Sequence, residues 1–458
     1  MLAEGIRFSF VEKKPRYIHD RGFSFYVIPA GGISLFASWD IVLQILSGLG
    51  YFLLNPFMYL FVLFIYLHYR RQMNFQRQLF SVRIHSPLLQ TIRAVGMGLI
   101  GGLLVSIVAG GLGVMVQSRD LWILWVFAIV LSLFRVRLLC LAYATGVLTL
   151  LHGVALLFPQ LADVQGLGTI WRWFLEAKPV PILAMVGLLH LAEAVLVRWN
   201  AGKDASPLFL EGKRGRIIGG YQLHSFWLTP LVVLVPTAAG QGVEGALFTG
   251  WPLFMPESNA FAFMLLPAIT GFSDVTTTMV PMRKAQQTAK QLAVYAILLT
   301  IVAYAAVWVP ALMILAAVIA IVGHEGLFWL SRWEERQKPP YFIQSDRGIK
   351  VMAVLPGTPA EEMGIQTGEV IVRVNGVSVR QREDLYPALH VNPAFCKMEV
   401  LTYAGEIKFV QCAVYAGNHH QLGIIVVPDA QTQYFVDLRK ASIVQLLKQR
   451  LERLRIGA

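Results

Sequence analysis

The sequence predicts an all-α polytopic membrane domain of about seven to nine spans, followed by a small α+β domain. Three observations lead there. Of 458 residues, 56% are apolar and only 14% charged, a balance outside the range of water-soluble globular chains. Apolar runs near the length needed to cross a bilayer recur through the first two thirds of the chain. Beyond residue 340 the pattern changes to short β-branched runs separated by glycine turns.

Residues 1–40 form an amino-terminal extension of unassigned role. Lys13, Lys14, Arg16 and Arg21 are followed by a Gly- and Pro-containing stretch rather than an apolar core, so no cleaved signal peptide is expected. The membrane domain is assigned to 41–332. Its spans are expected near Phe52–Leu67, Ala94–Val116, Leu121–Phe134, Leu138–Phe158, Pro179–Val197 and Leu228–Phe248. The apolar run Leu292–Leu330 has Pro310 near its middle and reads as a helical hairpin. Ala260–Phe272 is short and interrupted by Pro267, and reads as a re-entrant piece or a partial span. Gly98, Gly102, Ser106 and Gly110 make a stripe of small residues that lets two backbones approach, within the chain or between copies.

Charge sets the expected orientation. Segments 70–93, 135–137, 198–225 and 283–290 carry fifteen Lys and Arg, against three in the alternate connections 117–120, 159–178 and 251–258. The basic side is expected to be cytoplasmic, which places everything after Arg332 there. The net charge of +12 thus follows membrane topology and anionic headgroups, and no nucleic acid partner is expected. Cys140, Cys396 and Cys412 make no disulfide framework.

After a linker at 333–340, the α+β domain is assigned to 341–429. Gly348–Val354 reads as a strand, Pro356–Gly364 as a turn into a short helix, and Gly368–Val377 as a strand into a tight turn. That order resembles PDZ domains, which bind an extended peptide by adding it to a sheet edge. No glycine-containing carboxylate loop stands before Gly348, whereas Gln421–Val427 has that form, so the domain resembles circularly permuted bacterial PDZ domains. The peptide-binding residues expected are Leu422, Gly423, Ile424, Ile425 and Val426 on the strand, facing Leu385, Tyr386 and Leu389 on a helix. The competing reading makes Leu422–Val427 an ordinary closing strand. Residues 430–458 read as a basic amphipathic helix, with Ile443, Leu447, Leu451 and Leu454 on one face, expected to pack on the domain, to lie on anionic lipid or to bind a partner.

No catalytic residues, metal ligands or cofactors are expected. His324-Glu325 begins the spacing of a metalloprotease helix, but Phe328 stands where the second histidine belongs. Gly271-Phe272-Ser273-Asp274 lacks the glycine that a serine nucleophile setting needs. His190 and Glu193 share a helix face within a span and are able to meet His324 and Glu325. A structural pairing and a proton or metal path both remain open for them. A site-2-type protease relative and a transporter with a regulatory PDZ domain are the alternatives to an adaptor.

The runs Leu54–Tyr59, Gly212–Gly220 before Trp227, Asn392–Val400 and His419–Ile424 are similar to those of the MinJ family of Gram-positive cell-division topology proteins. The likeness spans roughly residues 43–429. It implies a membrane-anchored scaffold without enzymatic activity, acting in septum site selection. Its implied partners are a DivIVA-like polar and septal coiled-coil protein and a MinD-like ATPase. It further implies enrichment at septa and poles.

Overall fold

A computed structural model describes residues 54–429 apart from 83, 213–214, 239–242, 259 and 416–421, together with residues 50, 432, 435 and 436. The extension at 1–40 and the amphipathic positions from Ile443 onward lie outside the described residues.

The first part of the chain is helical: α1 (Pro56–Phe80), α2 (Pro87–Leu112), α3 (Ser118–Phe134), α4 (Leu141–Leu157), α5 (Gly168–Leu175) and α6 (Pro179–Leu196). Helices α2 and α6 open on proline, whose missing N–H and fixed φ suit a first turn. Helix α2 closes on Gly113, whose φ of 70° lets its amide reach back to the carbonyls of Ala109 and Gly110.

The chain then leaves helical structure. After β1 (Ser206–Glu211), β2 (Ile217–Leu228) continues beyond Thr229-Pro230 into β3 (Leu231–Pro236). Past the short β4 (Val243–Glu244), β5 (Ala260–Leu266) continues beyond Pro267-Ala268 into β6 (Ile269–Thr276). Strand β2 pairs antiparallel with β6, and β3 with β5, from Tyr221 opposite Thr276 to Pro236 opposite Phe261. The Thr229 amide donates to the Ala268 carbonyl at 2.8 Å across the junction. The result is one long two-stranded ribbon, kinked where Pro230 and Pro267 interrupt the pairing. Strand β1 extends one end into a three-stranded sheet, and β4 the other.

This corrects the all-α expectation for the membrane domain. Leu228–Phe248, expected as a helical span, is occupied by β3 and β4 with their connections, and Ala260–Phe272 by β5 and the start of β6. A uniformly apolar run has no period to distinguish helix from strand. Prolines at 230, 236 and 267 and the valines of β3 tip these segments to the extended form.

Helix α2 shows why the ribbon fits. A Cβ on Gly98 would stand 2.1 Å from the Leu228 carbonyl oxygen, and one on Gly102 would stand 2.2 Å from that of Pro230. At the next step Ser106 Oγ accepts the Val232 amide at 2.9 Å, and then the Gly110 carbonyl accepts Trp251 Nε1–H at 3.1 Å. The stripe of small residues is therefore used within the chain, against an extended strand rather than a second helix. Leu231, Val233, Val235, Met264 and Leu266 join the core formed by α2, α3, α4 and α6. Non-helical backbone at this depth is tolerable because protein covers it and its polar groups find partners.

Helix α7 (Pro281–Trp308) follows, then a turn at Pro310, α8 (Leu312–Val318), a π-helical turn (Ile319–Gly323) and α9 (His324–Gln337). Among the described residues, four helices are long and apolar enough to cross a membrane: Pro87–Leu112, Pro179–Ala201, Pro281–Trp308 and Leu312–Gln337. Near one end of α7, the fully buried Lys284 lies 3.2 Å from Glu335, 3.6 Å from Asp274 and 2.9 Å from Ser331 Oγ, tying α7 to β6 and α9.

The carboxy-terminal domain comprises β7 (Ile349–Val354), α10 (Pro359–Glu362), β8 (Val370–Val374), β9 (Val377–Ser378), α11 (Arg382–His390), β10 (Phe395–Leu401), β11 (Ile407–Ala413) and β12 (Ile424–Val426). Its main sheet runs β11-β10-β8-β7-β12. The domain sits directly on the β1–β2–β6 sheet. Gly219 donates to the Phe342 carbonyl at 2.9 Å, Tyr341 to that of Thr277 at 2.8 Å, and Tyr221 Oη to that of Met352. Phe342, Met352, Leu355, Ile425 and Val427 share one apolar cluster with Phe209, Tyr221 and Leu223.

Candidate functional site

The strand β12 stands last on the sheet path, paired antiparallel with β7 through Ile424 opposite Val354 and Ile425 opposite Ala353. Its two faces and two edges differ. Leu422, Ile424 and Val426 point into the domain's own core, and Ile425 and Val427 into the cluster shared with β1 and β2. The Gly423 carbonyl accepts the Leu355 amide at 2.8 Å, and the Val427 amide donates to Lys350 at 3.1 Å. Residues 423, 425 and 427 thus direct their backbone toward β7. By alternation, Ile424 and Val426 direct theirs to the other edge, which no described strand covers.

Leu422 and Gly423 turn the chain into this strand with successive positive φ of 54° and 85°. Glycine is required at 423 twice over, because a Cβ there would also meet Thr358 Oγ1 at 2.2 Å. Helix α11 is capped by a reciprocal pair between Gln381 and Asp384. The carboxylate of Asp384 accepts the Arg380 and Gln381 amides at 2.9 Å each, which holds it below the usual carboxylate range. Of the helix residues expected to line a groove, Leu385 is wholly buried in the core beside Ile424 and Val426. Leu389 packs at the margin of that core, and Tyr386 is exposed, with its ring centroid 4.0 Å from that of His390. Cys396 and Cys412 face each other across β10 and β11 as free thiols, and burial pushes Cys396 up to about 12, which disfavours its thiolate.

The ionisable groups of the membrane domain also converge. His190 and His324 lie with ring centroids 5.3 Å apart, with Cys140 between them, a residue that sequence spacing did not suggest. Glu325 is held by Arg137 and by Tyr143 Oη. Phe328 lies between the guanidinium groups of Arg137 and Arg332, each 4.3 Å from its ring centroid. The position where a metalloprotease helix has its second histidine is thus an aromatic platform for two cations.

Comparison with known proteins separates the two regions. A PDZ domain family model matches residues 350–400. The cell division topological determinant MinJ of Bacillus subtilis (strain 168) is 31% identical over 405 residues, covering 85% of this chain and 96% of its own length. The chain belongs to the MinJ family. A probable MinJ of Lacticaseibacillus paracasei is 28% identical over 268 residues, 56% of this chain and 67% of its own. A putative serine protease, HhoA of Synechocystis sp., is 55% identical over only 40 residues, 9% of this chain and 10% of its own. MinJ relatives are named as topological determinants and not as enzymes, and the protease likeness is too short to alter that.

Proposed function

We propose that this MinJ-family protein is a multi-pass membrane adaptor that recruits cytosolic division proteins through the open edge of β12. The supporting observation is the pair of outward backbone positions at Ile424 and Val426, on a strand held from behind by β7. A peptide adding there would gain main-chain hydrogen bonds, with side-chain pockets setting selectivity. Strand β12 is the last of the described strands yet pairs with β7, the domain's first, and this connectivity supports a circular permutation. The adaptor links a DivIVA-like coiled-coil protein to a MinD-like ATPase, with seven membrane crossings, the two apolar segments that form the ribbon being left out of the count, and its PDZ-like domain in the cytoplasm. Septa and poles are where it concentrates.

The test is a fluorescent fusion of the full chain in a rod-shaped host that depends on it. Septal and polar signal that recruits MinD supports the reading, whereas uniform membrane signal overturns the division-site role. For topology, Ser345→Cys or Thr402→Cys, in a chain whose Cys140, Cys396 and Cys412 are replaced by serine, should resist an impermeant thiol reagent until cells are opened. Labelling in intact cells inverts the orientation.

A further inference from the structure

Cys140, His190 and His324 come from three separate places in the chain and present their side-chain donors to one point. Cys140 is the N-cap of α4, His190 lies on α6, and His324 opens α9 immediately after the π-helical turn. Cys140 Sγ is 3.3 Å from His190 Nε2 and 3.6 Å from His324 Nε2, and the three donor atoms lie within 4.8 Å of one another.

Hydrogen bonding fixes which nitrogen of each ring is free. His190 Nδ1 is 2.7 Å from the Val186 carbonyl, which only accepts, so Nδ1 carries the proton and Nε2 the lone pair. His324 Nδ1 is 3.1 Å from Tyr143 Oη, whose own proton goes to Glu325 at 2.9 Å. Glu325 is in turn paired with Arg137, so it stays an acceptor and His324 Nε2 also presents a lone pair. Two lone pairs therefore face one thiol, which has a single proton to give. One nitrogen is left without a donor, at a place where His190 is buried and the other two residues are partly so.

A metal ion satisfies all three at once. We propose that Cys140, His190 and His324 bind a thiophilic transition-metal ion, zinc in particular, which clamps α4, α6 and the α8–α9 helix together. Zinc–sulfur and zinc–nitrogen bonds of about 2.3 and 2.0 Å set tetrahedral ligands roughly 3.5 Å apart, and both sulfur–nitrogen distances fall near that value. The outer hydrogen bonds have the form that orients metal-bound imidazoles, carbonyl to one and Tyr–Glu–Arg to the other. Cys140 at a helix N-terminus puts the sulfur at the positive end of the helix dipole, where an anionic ligand is favoured. A cleft of about 360 Å³, lined by Leu131, Arg137, Tyr143, Ile321 and Glu325, lies against the outer hydrogen-bonding groups. Three protein ligands leave a fourth position for water or an exchangeable group.

The test uses the purified full chain in detergent or nanodiscs, stripped with a chelator and reloaded with Zn²⁺, then measured by mass-spectrometric metal analysis. One zinc per chain is expected, falling below about a tenth of that in Cys140→Ala and in His324→Ala and unchanged in Cys396→Ser and Cys412→Ser. Tyr143→Phe keeps all three ligands and is expected to weaken zinc binding roughly 10–100-fold, which covers the case in which a ligand variant fails to fold. Loading with Co²⁺ should produce a sulfur-to-cobalt charge-transfer band that Cys140→Ala removes. A folded parent that takes up no zinc, or takes up Cu(I) alone, overturns the zinc assignment. Equal loading of the parent and the Cys140 variant overturns the site itself.

Discussion

Two strands of this molecule solve the same problem in opposite ways. Strand β3 lies alongside a helix long and apolar enough to span a membrane, and both of its edges find partners: β5 on one side, Ser106 Oγ and the Val116 amide on the other. Among the described strands β12 pairs only with β7, and it leaves the backbone of Ile424 and Val426 turned to the other edge. The difference follows from the solvent. Among apolar helices an unpaired amide has no water to fall back on, whereas an edge strand outside such helices need not be paired on both sides.

The comparison breaks most readily at the closed strand. Gly102→Leu places a side chain where the Pro230 backbone stands, so neither side can yield. It is expected to abolish accumulation of folded protein, read by monodispersity in detergent. Lys284→Ala strips the cation from the partly buried Asp274 and Glu335 and should cost about 3 kcal/mol, measured as a lowered thermal midpoint. Lys284→Met together with Asp274→Asn and Glu335→Gln should recover part of that loss. Ser106→Ala leaves the Val232 amide without its acceptor and is expected to cost about 1–3 kcal/mol; Ser106→Thr keeps the oxygen and should cost less.

The open strand is probed by proline, which is tolerated only where an edge N–H faces away from the ladder. Ile425→Pro removes an amide that faces β7, and should destabilise the domain. Val426→Pro leaves that pairing in place and is expected to eliminate peptide addition while the protein still inserts and folds. Equal partner binding by Val426→Pro and the parent would place recruitment elsewhere. The smallest effect belongs to Asp384. Its carboxyl is depressed in the folded state, so the stabilisation is present above the unfolded value and is lost as pH falls through the folded one. Rate-corrected hydrogen exchange of the amides in α11 should therefore quicken on acidification, and Asp384→Asn should flatten that response by a fraction of 1 kcal/mol, because the group is exposed.

What was legible in the chain depended on whether a local pattern existed to be read. The PDZ-like strands announce themselves through alternation and through Gly348, Gly368 and Gly376, all at positive φ. Pro310 marked the turn between the last two long helices. The ribbon was not legible because Leu231–Pro236 is apolar at every position and buried by helices, which removes the alternation that marks a half-exposed strand. The Cys140 cluster was hidden for another reason. Its members stand 50 and 184 residues from Cys140, so only the packing of α4, α6 and α9 brings them together.

The contact between α2 and the ribbon behaves as a vernier. Four residues of helix advance about 6.0 Å and two residues of strand about 6.6–6.8 Å, so the two scales coincide well at one mark and drift by roughly 0.7 Å at each that follows. After two steps the error is about 1.4 Å, enough to begin moving a small residue off its target. Three marks, Gly98, Gly102 and Ser106, meet the strand, and at Gly110 the partner is instead the Trp251 side chain. The close contact is consequently self-limiting in length. A thicker bilayer could not be matched by lengthening the stripe alone; past the helix end at Gly113 the strand is met instead by extended backbone, through the Val116 amide on the Leu234 carbonyl.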